Sequence, residues 1–95
     1  MSCIGDVLKL YRTRFHLSQG DLAKLLDISV NFLSQVENGK KKISFTKLGD
    51  IANKLGFSQE LLLLVASEPP EELDEKQKKY FNLMQDSLLQ YFLKR

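Results

Sequence analysis

The sequence has one cysteine and one histidine among its 95 residues. Cys3 therefore has no intramolecular disulfide partner, and one cysteine with one histidine gives too few ligands for a zinc site of the Cys/His type. No apolar run approaches the ~20 residues of a membrane-spanning helix. The first residues lack a basic stretch followed by an apolar one, so we expect no secretory leader and a cytoplasmic protein. No residue set predicts an enzyme, a cofactor or a metal centre.

Charge is distributed unevenly along this chain, whose length is that of one small domain. Residues 1–66 contain nine Lys or Arg and six Asp or Glu, whereas residues 67–95 contain five and six. The basic part includes the run Lys40-Lys41-Lys42. Taken alone, such a run is more typical of a solvated surface than of a phosphate contact. Its place directly after a short predicted helix keeps phosphate contact open.

Apolar residues recur at helical spacing along the chain, and a serine precedes four of the predicted helices as a candidate N-cap. Gly39 and Gly56 each follow a helix, where glycine readily adopts the left-handed conformation of a helix end. Pro69 and Pro70 mark a boundary, so residues 67–70 are predicted to link a domain over 1–66 to a C-terminal segment over 71–95. The predicted helices cover 4–14, 19–26, 30–37, 45–55, 59–66 and 71–95.

The two short helices over 19–26 and 30–37 fit a helix-turn-helix unit. In such a unit the second helix enters the major groove, which is about 12 Å wide, and the first crosses the DNA backbone. Ala23 provides a small contact between the helices, and Asp27 suits a turn because Asp tolerates positive φ better than most residues. Apolar residues that would fix the crossing angle are Ile28, Leu33 and Val36.

The run L-S-Q-G-D-L-A-K-L-L-D-I-S-V-N-F-L-S-Q-V-E-N-G-K, residues 17–40, resembles the helix-turn-helix family of Cro and the phage repressors, also called the XRE family. Residues 4–12 and 43–57 resemble the first and fourth helices of that family. His16 and Asp27 stand where the family usually has glycine, and Ile43 replaces a frequent proline. The resemblance implies an all-α fold: a five-helix lambda-repressor-like DNA-binding domain, here followed by a long C-terminal helix.

The resemblance also implies a set of contacts with double-stranded DNA. Base edges would be met by Val30, Asn31, Ser34 and Gln35. Phosphates would be met by Gln19, Ser29 and Asn38. The position of the lysine run in the family pattern also favours phosphate contact for Lys40, Lys41 and Lys42. Side-chain amides pair with adenine and an apolar side chain can meet the thymine methyl group, so we expect an A·T-containing half-site.

Glu37 is a titratable residue at the end of the predicted recognition helix. One interpretation makes it catalytic. The resemblance instead implies a structural role as the ion-pair partner of Arg12, and structural ion pairs commonly look like functional ones.

The C-terminal helix has more apolar surface than one small domain can bury. It could pack back onto residues 61–65, form a homodimer, or do both, and we expect both. The predicted dimer face consists of Leu73, Tyr80, Phe81, Met84, Leu88, Tyr91 and Phe92, with Leu83, Leu89 and Leu93 off it. The main hypothesis is a homodimeric transcriptional repressor. The alternative is a protein-interaction adaptor or antitoxin-like protein whose C-terminal helix binds a partner protein.

Overall fold

The computed structural model describes residues 4–93, with the side chain of Phe92 excepted. These residues form six α-helices and no strand. Cys3 and the last two residues of the predicted C-terminal helix, Lys94 and Arg95, lie outside the described residues. The helices are α1 (Ile4–Arg14), α2 (Gln19–Leu26), α3 (Val30–Glu37), α4 (Phe45–Leu55), α5 (Gln59–Ala66) and α6 (Glu75–Leu93).

Serine side chains cap the N-termini of α2 to α5, and the predicted bounds of α1 to α5 are confirmed. Each hydroxyl oxygen accepts a hydrogen bond from the backbone N–H three residues later, at 3.0–3.2 Å. A cap of this kind contributes about 1 kcal/mol to helix stability. The four capping residues are Ser18, Ser29, Ser44 and Ser58.

One or two residues after the end of each of α1 to α4 stands a residue with positive φ, which is 56° at His16, 56° at Asp27, 76° at Gly39 and 83° at Gly56. After each of them, the next backbone N–H donates to the carbonyl oxygen five residues earlier, at 2.8–3.0 Å. This hydrogen bond is characteristic of the Schellman motif. The left-handed turn predicted at Asp27 is therefore confirmed, and His16 has the left-handed backbone that glycine has more often.

The core includes side chains from α1 to α5: α1 packs on α3 and α5, α2 packs on α3 and α4, and α4 packs on α5. Helix α6 packs on α5 and α1 and adds two leucines to the same core, so the described residues share one apolar cluster. Its fully buried members include Leu8, Leu22, Leu26, Leu33, Ile51 and Leu62.

The start of the last helix was predicted wrongly: α6 begins at Glu75 and not at Glu71. The backbone N–H of Gln77 donates to the Asp74 carboxylate at 2.8 Å, and the N–H of Asp74 donates to Oε1 of Gln77 at 3.0 Å. This reciprocal pair is a capping box, which sets the helix start. Before it, a turn is closed by the hydrogen bond from Leu73 N–H to the carbonyl oxygen of Pro70, at 3.3 Å.

The structure divides the predicted apolar face of α6. Leu73, Phe81 and Leu88 are half-buried, whereas Tyr80, Met84 and Tyr91 are exposed; the side chain of Phe92 lies outside the described residues. Among the three leucines placed off that face, Leu83 is exposed, but Leu89 and Leu93 are buried in the core.

The face of α6 that packs on the domain is centred on a polar residue, Gln85, which is fully buried. Its Nε2 donates to the carbonyl oxygens of Leu64 and Ser67, at 2.9 and 2.6 Å. The last carbonyl groups of a helix have no partner within that helix. Gln85 supplies a donor at the end of α5, and this explains why a face that includes a glutamine is the buried one.

Candidate nucleic-acid interface

Helices α2 and α3 are held at a fixed angle by a short turn and by small and apolar contacts. Ala23, Leu33 and Val36 are buried, and Ile28 in the turn packs against the core. Helix α2 begins with a capping box. The backbone N–H of Ser18 donates to the Asp21 carboxylate, and the hydroxyl oxygen of Ser18 accepts from the backbone N–H of Asp21. The hydrogen bonds with Ser18 lower the pKa of Asp21 from its ordinary value.

The residues expected to meet base edges lie on the outer side of α3. Val30 and Asn31 are exposed, and Ser34 and Gln35 are half-buried. Val30 leaves 48% of its surface accessible, which is high for a branched apolar side chain in the middle of a folded domain. Opposite its buried side, α3 thus has a strip of four side chains that are exposed or half-buried. One of them is apolar, two are amides and one is a hydroxyl.

The two ends of α3 are polar and exposed. Ser29 caps the start, with its hydroxyl oxygen accepting from Phe32 N–H, and Asn38 stands at the end. The three residues after Gly39 are exposed lysines. The backbone N–H groups of Lys40 and Lys41 both donate to the carbonyl oxygen of Gln35, at 2.8 and 3.2 Å. These hydrogen bonds keep the start of the lysine run beside the last turn of α3.

A hydrogen-bond network centred on Glu37 joins the first three helices. Nε and the second terminal nitrogen of Arg12 donate to the two carboxylate oxygens at 2.8 Å each, which confirms the predicted ion pair. Nε2 of Gln19 donates to one of these oxygens at 3.0 Å. A third donor of Arg12 reaches the carbonyl oxygen of Leu17 at 3.4 Å. The network fixes α1 and α2 against the last residue of α3.

Burial and hydrogen bonding act on Glu37 in opposite directions. Burial of the side chain, which is 1% exposed, favours the neutral acid. The hydrogen bonds from Arg12 and Gln19 and the positive charge of Arg12 outweigh it, so the pKa of Glu37 is lowered from its ordinary value. The same hydrogen bond raises the pKa of Arg12. Glu37 is therefore an ionised structural partner, which agrees with the role that the resemblance implied.

A helix-turn-helix family model matches residues 8–62 of the chain, from the middle of α1 to the middle of α5. The protein belongs to the Cro/C1-type (XRE) helix-turn-helix family. No curated protein and no solved structure matches the chain significantly. The family consists of DNA-binding regulatory domains and is not an enzyme family. This helix-turn-helix protein is accordingly a DNA-binding regulator. No described helix is long and apolar enough to cross a membrane.

In this Cro/C1-type domain, the side chain of Gln19 forms a hydrogen bond within the protein. Its Nε2 donates to Glu37 and its side chain is half-buried. The phosphate contact that the resemblance implied for Gln19 stays a prediction. A donor that bridges the start of α2 and the end of α3 holds the two helices of the motif together. The sequence pattern did not predict this hydrogen bond, because its partners are 18 residues apart.

Gly5 is a second residue that the sequence analysis missed. A Cβ at this position would lie 2.5 Å from the carbonyl oxygen of Val36 and 3.1 Å from Cα of Glu37. The backbone of α1 therefore contacts the backbone at the end of α3 directly. A glycine inside a helical segment costs about 1 kcal/mol in helix propensity, and this cost was the available indication of a close approach.

Proposed function

We propose that the protein is a homodimeric transcriptional repressor that recognises operator DNA in the major groove through α3. The observation that supports this most directly is the separation of roles on α3. Glu37 and the apolar residues hold the helix from within, while Val30 and Asn31 extend into solvent. Such a helix can enter a groove without losing its own packing. For this role we expect the protein in the cytoplasm.

Asn31 and Gln35 are proposed to contact adenine N6 and N7. A bidentate contact discriminates against the wrong base by about 1–3 kcal/mol. Asn31→Ala and Gln35→Ala should therefore reduce specific binding roughly 5- to 150-fold while the melting temperature changes little. Selection of bound sequences from a random duplex pool, carried out with each variant, tests this. If both variants select the same half-site as the wild type, the assignment of these residues is wrong.

Ser29, Asn38 and the lysine run are proposed to contact phosphates. Each lysine that neutralises a phosphate adds about 0.9 to the slope of log K against log salt concentration. Lys41→Ala should reduce this slope by about 1 and weaken all duplexes alike. Lys24→Ala, an exposed lysine in the last turn of α2, gives a matched loss of charge outside the proposed contacts.

The exposed side of α6 is the proposed dimer contact. Tyr80, Met84 and Tyr91 recur at spacings of four and seven residues, with Leu83 beside them, and all four are at least 41% exposed. This side is opposite the one that packs on α5, so one helix can do both. A symmetric dimer predicts two half-sites about one helical turn, roughly 34 Å, apart.

Analytical ultracentrifugation tests the dimer. Tyr80→Glu combined with Met84→Glu should leave a folded monomer that binds a two-half-site operator weakly. Leu25→Glu is the control, because Leu25 is an exposed leucine on α2, away from α6. If the wild type is a monomer and shows no salt-dependent binding to DNA, the adaptor or antitoxin-like alternative replaces this proposal, with the same side of α6 binding a partner protein.

A further inference from the structure

One face of α1 lies against the end of α3. A Cβ on Gly5 would lie 2.5 Å from the carbonyl oxygen of Val36 and 3.1 Å from Cα of Glu37, so the two backbones approach each other without an intervening side chain. Seven residues later on α1, Arg12 donates to both carboxylate oxygens of Glu37 at 2.8 Å. Gly5 and Arg12 together identify the face of α1 that contacts the end of α3.

Lys9 lies on the same face of α1, between these two residues. It follows Gly5 by four positions and precedes Arg12 by three. Residues at such spacings are neighbours on a helix surface, with Cβ atoms about 5–6 Å apart. Gly5 is buried and Arg12 is half-buried, whereas Lys9 is exposed. Lys9 therefore lies at the solvent edge of the contact between α1 and α3.

The positive charge of Lys9 acts on the carboxylate of Glu37. Burial raises the pKa of Glu37, but the hydrogen bonds from Arg12 and Gln19 outweigh this effect. The positive charges of Arg12 and Lys9 lower the pKa further. This influence agrees with a position of the Lys9 side chain beside the last residue of α3.

The other two cations of α1 are Arg12 and Arg14, and both contact side chains of the protein. Arg12 is paired with Glu37, and Arg14 lies 5.5 Å from the centroid of the Phe15 ring. Arg14 comes five residues after Lys9, which places it about 140° around the helix. Lys9 is thus the cation of α1 that combines an exposed side chain with the face at the end of α3.

The end of α3 is also where the proposed phosphate contacts begin. Asn38 directly follows Glu37 and is exposed, and the lysine run follows Gly39. Lys9 therefore stands on the edge of the domain that is proposed to meet the DNA backbone. A lysine ammonium group is a compact point charge with three donors, which suits a phosphate oxygen.

We propose that Lys9 contacts a DNA phosphate beside Asn38, so that α1 belongs to the nucleic-acid interface. The inference rests on the proposed function, because it takes Asn38 and the lysine run as the phosphate-binding edge. Phosphate contacts fix the position of a protein on the duplex without reading its sequence. The close approach at Gly5 then has a consequence for binding, since it brings α1 and its lysine to the end of α3.

The salt dependence of DNA binding by the full chain tests the charge of Lys9. The probes are the duplex that the wild type selects from a random pool and an unrelated duplex of the same length. Lys9→Met should reduce the slope of log K against log salt concentration by about 0.9 on both. Between 50 and 200 mM salt, the wild type should therefore lose about three- to fourfold more affinity than this variant.

Two variants serve as controls for Lys9→Met. Arg14→Met removes one positive charge from another side of the same helix, and it should keep the wild-type slope. Lys9→Arg retains the charge at the proposed contact, so it should keep the slope as well. A slope that falls equally in Lys9→Met and Arg14→Met would show that the net charge of the protein matters and not a contact by Lys9, and it would overturn the proposal.

Single methylphosphonate substitutions in the selected duplex, each of which removes the charge of one phosphate, locate the contact. In double-mutant cycles, Lys9→Met should couple by at least about twofold to one phosphate of a half-site. This phosphate should be the one that couples to Asn38→Ala or its neighbour on the strand. If no phosphate couples to Lys9→Met, the proposal is wrong.

A purely structural role of Lys9 gives a different result. The variant Lys9→Met would then lower the melting temperature and the affinity without changing the salt slope, and the proposal would be overturned. If Lys41→Ala reduces the slope and Lys9→Met does not, the repressor proposal stands and the contact by Lys9 alone is wrong. If the wild type shows no salt-dependent binding to DNA, both proposals are wrong.

Discussion

The carboxylate of Glu37 accepts two hydrogen bonds of 2.8 Å from the guanidinium of Arg12, a residue 25 positions earlier in the chain. The pair joins α1 to the last residue of α3. Because Gln19 donates to the same carboxylate, α2 is included as well. The orientation of α3 thus depends on three side chains other than those expected to meet base edges.

Arg12→Met should lower the free energy of unfolding by about 3 kcal/mol, because it leaves the buried Glu37 carboxylate without its charged partner. Urea denaturation measures this change. Arg14→Met is the control. Arg14 lies near the ring of Phe15, 5.5 Å from its centroid, and losing this exposed contact should cost no more than about 1 kcal/mol. Equal losses for the two variants would contradict a structural role for the ion pair.

Acid should destabilise the protein partly through Glu37. Its pKa is lowered on folding from the ordinary value of 4.5, so the folded state holds this proton more weakly than the unfolded state. The resulting stabilisation is complete above pH 4.5 and is lost as the pH falls through the pKa of the folded state. Urea denaturation between pH 2 and 6 should therefore show a shallower acid-side loss in Glu37→Gln, although that variant is less stable near neutral pH. Identical slopes would contradict this assignment.

Gly5→Ala should destabilise the protein although alanine is the better helix former. The added Cβ would stand 2.5 Å from the carbonyl oxygen of Val36, so α1 and α3 must move apart. We expect a loss of about 2 kcal/mol after the gain in helix propensity. Gly20→Ala is the matched control, because the nearest atom to its Cβ would be Oγ of Ser18 at 3.6 Å. This variant should gain up to about 1 kcal/mol, and thermal unfolding of both variants measures the contrast.

His16→Gly should raise the melting temperature. His16 has a φ of 56° and an exposed side chain, so glycine relieves backbone strain without removing a buried contact. The relief of about 1 kcal/mol exceeds the added entropy of the unfolded chain, for a net gain of about 0.5 kcal/mol. His16→Ala keeps the strain and should show no gain. A gain of the same size in both variants would show that the imidazole, and not the backbone, is unfavourable.

The sequence predicted the parts of the fold that depend on neighbouring residues. The starts of α2 to α5 follow from serine caps and the ends of α1 to α4 from left-handed turns, each formed within a few residues. It did not predict which side of α6 is buried, because the carbonyl oxygens that pair with Gln85 lie 18 and 21 residues earlier. The contacts of Gly5 and Gln19 also join residues that are far apart in the sequence, so the sequence did not predict them either. The proposed base and phosphate contacts stay predictions.

On α3, the side chains that hold the helix in the domain are different from those that extend into solvent. This separation bears on how such a protein diversifies. Leu33, Val36 and Glu37 keep the fold, whereas Asn31 is exposed and pairs with no core residue. Substitutions at surface positions of this kind change stability by about 0.5 kcal/mol or less. With the base contacts proposed for α3, one copy can acquire a new operator after gene duplication in a few mutations, without passing through an unfolded intermediate sequence.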